Sequence, residues 1–214
     1  MKTVLVSGGA GYIGSNVVRS LASKGYTPVI YDNLSGGFID FISDFELIVG
    51  DIGNYDLVSE TLKSYSIDCV MNFASFIAVG ESCNYPLKYY DNNVSKTITL
   101  LKAMTDCGVN KFIFSSTAAV YGTPLEVPIT EISPLKPESP YGRTKLMVEN
   151  ILADLSGSQN FRYMALRYFN AAGCDSQGRV GERHDPETHL IPLILAEALR
   201  IEQGGDPKTT SLKV

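Results

Sequence analysis

Residues 4–14 read VLVSGGAGYIG, an apolar run followed by a glycine-rich turn. The run at 4–6 predicts a short buried strand, and apolar residues at helical spacing after the turn predict a helix. The turn carries the spacing G-x-x-G-x-x-G at Gly8, Gly11 and Gly14. In a strand–turn–helix unit, one glycine makes the tight turn, one lets a diphosphate approach the backbone, and one packs the helix against the strand. The free N–H groups at the start of the helix then favour a phosphate, so the stretch predicts dinucleotide binding.

A second predicted strand indicates which dinucleotide is bound. Pro28–Tyr31 reads as a short strand that ends at Asp32, 18 residues after Gly14. An acidic side chain at this place accepts hydrogen bonds from the hydroxyls of the adenine ribose and repels a 2′-phosphate. No Arg or Lys lies between Lys24 and Lys63 to bind such a phosphate. The sequence therefore predicts NAD rather than NADP as the cofactor.

The composition is that of a globular, acidic chain. Its 214 residues are 44% hydrophobic, and 18 basic against 23 acidic residues give a formal net charge of −5. Without a basic run, nucleic acid and an anionic membrane surface are disfavoured as partners. The most apolar stretch, 190–201, is too short to span a bilayer, and no signal peptide is visible, so we expect a cytoplasmic protein. Four widely separated cysteines predict neither a metal site nor a disulfide framework.

Predicted strands and helices alternate along the first 170 residues. The strands are expected at 46–49, 68–72, 111–115 and 162–168, and the helices at 56–65, 85–107 and 141–155. This alternation predicts a doubly wound parallel sheet, the α/β fold of NAD-binding Rossmann domains, over residues 1–170. The alternation stops there. A polar loop, a helix at 190–203 and a strand beginning at 209 predict the start of a smaller substrate domain over residues 171–214.

A second motif, YGRTK at 141–145, carries candidate catalytic groups. Tyr141 and Lys145 are four residues apart, so they share one face of a predicted helix. A phenol has an ordinary pKa of ~10, and a nearby ammonium together with a cationic nicotinamide would favour its ionised form near neutral pH. Thr117 closes the preceding strand and supplies a hydroxyl that can share the substrate oxygen. The pattern predicts a tyrosine base assisted by a lysine and a threonine.

Together these residues resemble the extended short-chain dehydrogenase/reductase family, and in particular its branch of UDP-hexose 4-epimerases. The resemblance extends over essentially the whole chain and includes the stretches 78–82, 89–93, 114–122, 167–173 and 184–192. It implies an NAD-dependent isomerase that interconverts UDP-glucose and UDP-galactose in galactose metabolism. The reaction would oxidise C4 of the sugar to a 4-keto sugar and reduce it again on the opposite face.

The resemblance also implies roles for single residues. The positions that would line NAD are Gly8, Gly11, Tyr12, Ile13, Gly14, Asp32, Asn33, Asp51, Ile52, Phe73, Asn92 and Lys145. The positions that would contact the UDP-sugar are Thr117, Tyr141, Asn170, His189 and Leu190. Tyr141 would accept the proton, and Lys145 would bind the ribose and tune Tyr141. For Asp51, which follows the third strand, capping of the next helix is an alternative to adenine contact.

Several interpretations remain open at this stage. A 4-epimerase of another UDP-sugar (a UDP-N-acetylhexosamine or a UDP-uronate), or a truncated non-catalytic NAD-binding protein, fits the same motifs. A sugar-nucleotide 4,6-dehydratase fits less well, because Ala118 and Ala119 follow Thr117 where that class carries Asp-Glu. A homodimer is a further possibility. Members of the family continue beyond the position of Val214, so we expect a C-terminally truncated chain.

Overall fold

The computed structural model describes residues 2–184, 187 and 189–206, and it divides into two compact units, Met1–Ala171 and Ala172–Val214. The first unit is built on a six-stranded parallel sheet. Its strands are β1 (Thr3–Ser7), β2 (Thr27–Asp32), β3 (Leu47–Val49), β4 (Cys69–Asn72), β5 (Lys111–Thr117) and β6 (Arg162–Tyr168). Its helices are α1 (Tyr12–Ser23), α2 (Tyr55–Ser64), α3 (Val79–Asn84), α4 (Pro86–Tyr90), α5 (Lys96–Asp106) and α6 (Pro140–Ser158). The second unit contains α7 (Leu190–Glu202).

The strand order β3-β2-β1-β4-β5-β6, with every neighbouring pair parallel, confirms the predicted doubly wound sheet. Its apolar strands supply a core that includes Leu5, Val29, Val70 and Phe112, each at most 2% exposed. The order reverses between β1 and β4, so the connections that leave these two strands separate and open a crevice at their carboxyl ends. Polar residues placed at that end of the sheet are therefore in position to meet a ligand.

The predicted single helix over 85–107 is wrong, because the chain there forms α4, a π turn at Asp91–Ser95, and α5. The buried Asn93 lies inside the π turn. Its side chain accepts a hydrogen bond from the Phe76 N–H (2.9 Å) and donates one to the Phe76 carbonyl (3.0 Å). Such turns insert one residue into a helix and occur frequently near functional sites. The turn here directs Asn93 onto the segment that follows β4.

The sequence also gave no indication of α3, which is only six residues long and contains Gly80. Between β5 and α6 the chain forms a loop, apart from a 3₁₀ turn at Ala118–Val120. The strand predicted from residue 209 lies outside the described residues. In the second unit, α7 has no buried residue. Among the described residues, no helix combines the length and the hydropathy needed to cross a membrane.

Candidate functional site

The glycine turn joins β1 to α1, and its three motif glycines meet different surroundings. Gly8 has a positive φ of +71°, and a Cβ there would lie 2.5 Å from the Ala74 nitrogen. A Cβ on Gly14 would overlap the carbonyl oxygen of Gly8. A Cβ on Gly11 would meet only the Gly8 oxygen, at an ordinary 3.4 Å. Packing of the chain itself thus requires Gly8 and Gly14, whereas the surface at Gly11 is open.

Gly11 is also the N-cap residue of α1, and no side chain caps this helix end. The first turn of α1 contains no acidic residue. The positive end of the helix dipole therefore has no carboxylate of its own helix to neutralise it, which favours an anion such as a diphosphate. The turn fits the dinucleotide that the sequence predicts.

Asp32 ends β2 beside this turn and is 7% exposed. One of its carboxylate oxygens accepts a hydrogen bond from the Ala10 N–H (2.9 Å), and the other accepts one from the Leu34 N–H (2.8 Å). These bonds fix the orientation of the carboxylate against the glycine turn. Each carboxylate oxygen has further lone pairs, so Asp32 remains able to accept hydrogen bonds from ribose hydroxyls.

Asp51 follows β3 and forms the centre of a polar cluster. It accepts hydrogen bonds from Lys96 Nζ (2.7 Å), the Gly53 N–H (2.8 Å) and Asn33 Nδ2 (3.1 Å). Burial alone would raise the pKa of Asp51, but the bonds from Lys96, Gly53 and Asn33 outweigh it and the pKa is lowered. The alternative that Asp51 caps α2 is wrong, because Asn54 is the N-cap residue. Asp51 and Asn33 therefore lie together at the ends of β3 and β2.

The start of α6 places Tyr141 against the end of β5. A Cβ on Gly142 would come within 2.7 Å of the Ala119 carbonyl oxygen, so this glycine permits the close approach of the two segments. The Thr117 hydroxyl favours the ionised form of the Tyr141 phenol and so lowers its pKa, and both side chains are 9% exposed. The Tyr141 N–H donates to Ser82 Oγ on α3 (3.2 Å). The predicted pair of hydroxyls is thus brought together.

Lys145 lies one turn further along α6 and is 2% exposed. Its Nζ donates to Ser75 Oγ and to the Ser115 carbonyl, both at 2.8 Å, and lies 5.8 Å from the centroid of the Tyr141 ring. Burial among these neutral acceptors lowers the pKa of Lys145 to about 7. Burial also raises the pKa of Tyr141, although the Thr117 hydroxyl counteracts this. The pKa of the phenol is thus shifted by burial and by Thr117, and Lys145 occupies a desolvated position beside the phenol ring.

The remaining predicted residues fall into two groups. Tyr12, Ile13, Ile52, Phe73 and Asn92 are buried or half-buried residues of the first unit. Asn170 belongs to the same unit, two residues after β6, and is exposed. His189 and Leu190 lie in the second unit, where His189 is the N-cap residue of α7. The carboxyl ends of β1, β2, β4 and β5 thus gather most of the predicted cofactor residues together with Thr117, Tyr141 and Lys145.

The family model described as "NAD dependent epimerase/dehydratase family" matches residues 4–210 of the chain. The chain belongs to this family. A relative from Rhizobium leguminosarum bv. trifolii, named UDP-glucose 4-epimerase, is 48% identical over 95% of this chain and 62% of its own length. A relative of the same name from Lactobacillus helveticus is 49% identical over 97% of this chain and 62% of its own length. The chain thus spans less than two thirds of these curated relatives.

Solved structures of the family superpose closely on the chain. The UDP-glucose 4-epimerase from Brucella ovis, in complex with NAD, aligns with a TM-score of 0.90 at 47% identity, covering 94% of this chain and 62% of that one. The UDP-Glc/GlcNAc 4-epimerase from Campylobacter jejuni aligns with a TM-score of 0.81 at 37% identity, covering 95% and 63%. These similarities confirm the predicted resemblance and the NAD-binding α/β fold.

Within this epimerase/dehydratase fold, sequence reasoning missed a buried ion pair that supports β5 and α6. Glu149 is 8% exposed, accepts from the Ser116 hydroxyl, and pairs with Arg167 at 2.6 Å. Arg167 also donates to the Tyr121 phenol (2.8 Å), and the Glu149 carboxylate raises its pKa. The signal was present, because Glu149 lies four residues after Lys145 and continues the face of α6 that Tyr141 begins. Ser75 left no comparable signal, since an isolated serine has no spacing to mark it.

The depressed pKa of Lys145 predicts a pH dependence of stability. Between the folded pKa of about 7 and the ordinary value of 10.5, the unfolded chain binds a proton that the folded chain does not. The free energy of unfolding should therefore fall as pH falls through this window, by about 1.4 kcal/mol per pH unit at most.

Lys145→Met should remove this pH dependence of the unfolding free energy in chemical denaturation followed from about pH 7 to about pH 10. Lys24→Met, which changes an exposed lysine, serves as the control. Equal slopes for the parent and Lys145→Met would contradict the assignment.

Proposed function

We propose that this chain forms the cofactor-binding part of an NAD-dependent 4-epimerase that interconverts UDP-glucose and UDP-galactose, a reaction of galactose metabolism. The observation that carries the proposal is the arrangement of Thr117, Tyr141 and Lys145 at the carboxyl end of the sheet that also holds the glycine turn. The relatives named UDP-glucose 4-epimerase, at 48% and 49% identity, support the substrate class. The chain spans 62% of the length of these relatives, so their whole activity is a proposal for it.

The first unit supplies the groups that NAD requires. The open surface at Gly11 and the uncapped start of α1 would hold the diphosphate. Asp32 would accept hydrogen bonds from the adenine ribose, and the cluster of Asn33 and Asp51 would lie beside the adenine. The other proposed cofactor residues are Gly8, Tyr12, Ile13, Gly14, Ile52, Phe73, Asn92 and Lys145. When bound, NAD supplies a reversible oxidation at C4 of the hexose.

The protein's own catalytic groups would handle the proton. Tyr141 would take the proton from the 4-hydroxyl group of the sugar, and Thr117, whose hydroxyl lowers the pKa of the phenol, would hold the same oxygen. Lys145 can donate to a ribose hydroxyl in place of Ser75, because its present acceptors are neutral and exchangeable. Asn170, His189 and Leu190 are the proposed contacts with the UDP-sugar. The tyrosine then returns the proton when the sugar is reduced on its other face.

A matched pair of glycine substitutions tests the diphosphate site. Gly11→Ala adds a methyl group that the protein tolerates at 3.4 Å, so the melting temperature should stay close to the parent's while NAD affinity falls by at least about 10-fold. Gly14→Ala adds the same methyl group against the Gly8 carbonyl and should lower the melting temperature as well. Calorimetric NAD titration and thermal melts separate the two effects. Full NAD affinity in Gly11→Ala would place the diphosphate elsewhere.

The preference for NAD over NADP is expected to depend on Asp32. Asp32→Ala removes a charged acceptor worth about 1.5–3 kcal/mol, so NAD affinity should fall by roughly 10- to 100-fold. It also removes the repulsion of a 2′-phosphate, so the ratio of NAD to NADP affinity should shrink. Asp44→Ala, an acidic residue on the surface, is the control. If parent and Asp32→Ala discriminate equally between the cofactors, Asp32 does not select NAD.

Two other functions remain candidates. A 4-epimerase of N-acetylated UDP-hexoses is favoured by the similarity to the UDP-Glc/GlcNAc 4-epimerase from Campylobacter jejuni. Rates with UDP-galactose, UDP-N-acetylgalactosamine and a UDP-uronate decide between these substrates. A non-catalytic NAD-binding protein would bind NAD yet leave it unreduced with every UDP-sugar. We also propose a cytoplasmic location. We further propose a homodimer, which the exposed apolar side chains of Ile98 on α5 and Met147 on α6 favour.

A further inference from the structure

Both histidines of the chain lie in one cluster within the second unit. His184 and His189 stack with their ring centroids 4.5 Å apart, and Glu182 and Glu187 accompany them. One ligand atom from each of the four residues lies within 4.8 Å of every other. We propose that these four side chains bind a divalent transition-metal ion, with Zn²⁺ the ion that they fit best. This inference does not depend on the proposed epimerase reaction.

The histidine–glutamate distances within the cluster are close to the separation of two ligands on one metal ion. The Nδ1 atom of His189 lies 3.0 Å from Glu187 and 3.3 Å from Glu182, and the Nδ1 atom of His184 lies 3.5 Å from Glu187 and 3.9 Å from Glu182. Two ligands about 2.0–2.1 Å from a tetrahedral Zn²⁺ ion are separated by ~3.3 Å. The four histidine–glutamate distances lie around this value, and those to Glu187 end on its two different oxygens, Oε1 for His189 and Oε2 for His184. A rotation of the Glu187 carboxylate, together with small shifts of the other side chains, would let all four groups coordinate one ion.

The hydrogen bonding of His184 is incomplete in a way that coordination would satisfy. Its Nδ1 atom is shielded from solvent and forms no hydrogen bond with any residue that the structure describes. Buried polar atoms in native proteins normally have a partner, so an orphaned imidazole nitrogen facing two carboxylates needs an explanation. A metal ion between them would accept the nitrogen lone pair and neutralise the two adjacent negative charges.

The donor set indicates the class of ion. Two imidazoles and two carboxylates suit Zn²⁺ and related first-row ions, whereas Ca²⁺ and Mg²⁺ prefer oxygen ligands alone. Four protein ligands fill a tetrahedral shell and leave no open position, which is typical of a structural site. Because His189 is the N-cap residue of α7, a bound ion would join residues 182–184 to the start of that helix.

The test is metal binding by the chain, independent of any catalytic assay. Titration of the chelator-treated protein with Zn²⁺ should show one ion per chain, and Co²⁺ should give visible absorption bands of a tetrahedral nitrogen–oxygen site. Glu182→Gln, which preserves side-chain shape, and His184→Ala should each weaken Zn²⁺ binding by about 100-fold or more, since even outer-shell changes cost 10- to 100-fold. Glu202→Gln, an exposed glutamate of α7 outside the cluster, should bind as the parent does.

The exposed Cys83 and Cys174 are the competing ligands, so the titration is repeated with both changed to serine. Undiminished binding in that double variant supports the proposal, and loss of binding there overturns it in favour of thiol capture. Tight binding that Glu182→Gln and His184→Ala leave unchanged also overturns it. If the parent chain shows no Co²⁺ bands, the proposal is overturned, and the four residues form a cluster of ion pairs only. Circular dichroism spectra of the metal-free variants confirm that each is folded.

Discussion

Replacing Tyr141 by Phe should lower epimerase turnover by at least about 100-fold while NAD remains bound. The change removes only the phenolic oxygen, whose pKa the Thr117 hydroxyl lowers. General base catalysis typically contributes about 10²–10⁴ to a rate, and no other described side chain at this position can replace the phenol. The phenyl ring keeps its packing at the start of α6, so the fold and the cofactor site should persist.

The measurement uses a chimera that spans the full length of a relative. Residues 1–206 of this chain are joined to the remaining portion of the Lactobacillus helveticus relative, and UDP-galactose conversion is followed with NAD present. Tyr65→Phe is the matched control, because its phenol bonds only Glu46 on the surface among the described contacts that involve it. The control should retain the parental rate. Turnover of Tyr141→Phe equal to that of Tyr65→Phe would exclude the phenol as the base.

The sheet was predictable because its signals are local and strong. Strands such as β1, β4 and β5 are short apolar runs bounded by turn residues, and a parallel sheet buries such runs on both faces. The helix from 85 to 107 was not predictable in detail. Its apolar spacing continues through residues 91–95, but the buried Asn93 bonds the backbone of Phe76, seventeen residues earlier, and a tertiary contact of this kind imposes the π turn.

In the candidate site too, one part could be predicted from the sequence and another could not. Tyr141 and Lys145 could be found from their spacing, and Thr117 from its place after a strand. The sequence could not show how deeply these side chains are buried or which groups surround them. Lys145 is enclosed by Ser75 and the Ser115 carbonyl without a carboxylate, and this desolvation sets the direction of its pKa. A motif identifies the groups that react, whereas their protonation depends on burial and on residues of β5 and of the segment after β4.

A second large effect is expected for residues 1–214 tested by themselves. The groups proposed to hold NAD are all present in the first unit, so this chain should bind NAD. Apart from the catalytic groups, only three residues are proposed to contact the UDP-sugar: Asn170, His189 and Leu190. Enzymes of this kind use binding energy from the remote nucleotide to orient the reacting carbon, and a misplacement of about 1 Å costs roughly 100-fold. Turnover of UDP-galactose should therefore lie at least about 100-fold below that of a full-length relative.

Exposed apolar surface predicts the accompanying behaviour in solution. On β6, which pairs only with β5 among the described strands, Met164 is 58% exposed, and Phe169 just beyond the strand is 65% exposed. On α7, Leu195 is 62% exposed. Surfaces of this kind bind a partner segment or aggregate. Adding the remaining portion of the Lactobacillus helveticus relative as a separate polypeptide should therefore raise both the solubility and the turnover of residues 1–214. Turnover matching that of the full-length relative without this addition would show that Asn170, His189 and Leu190 suffice to hold the sugar against Tyr141.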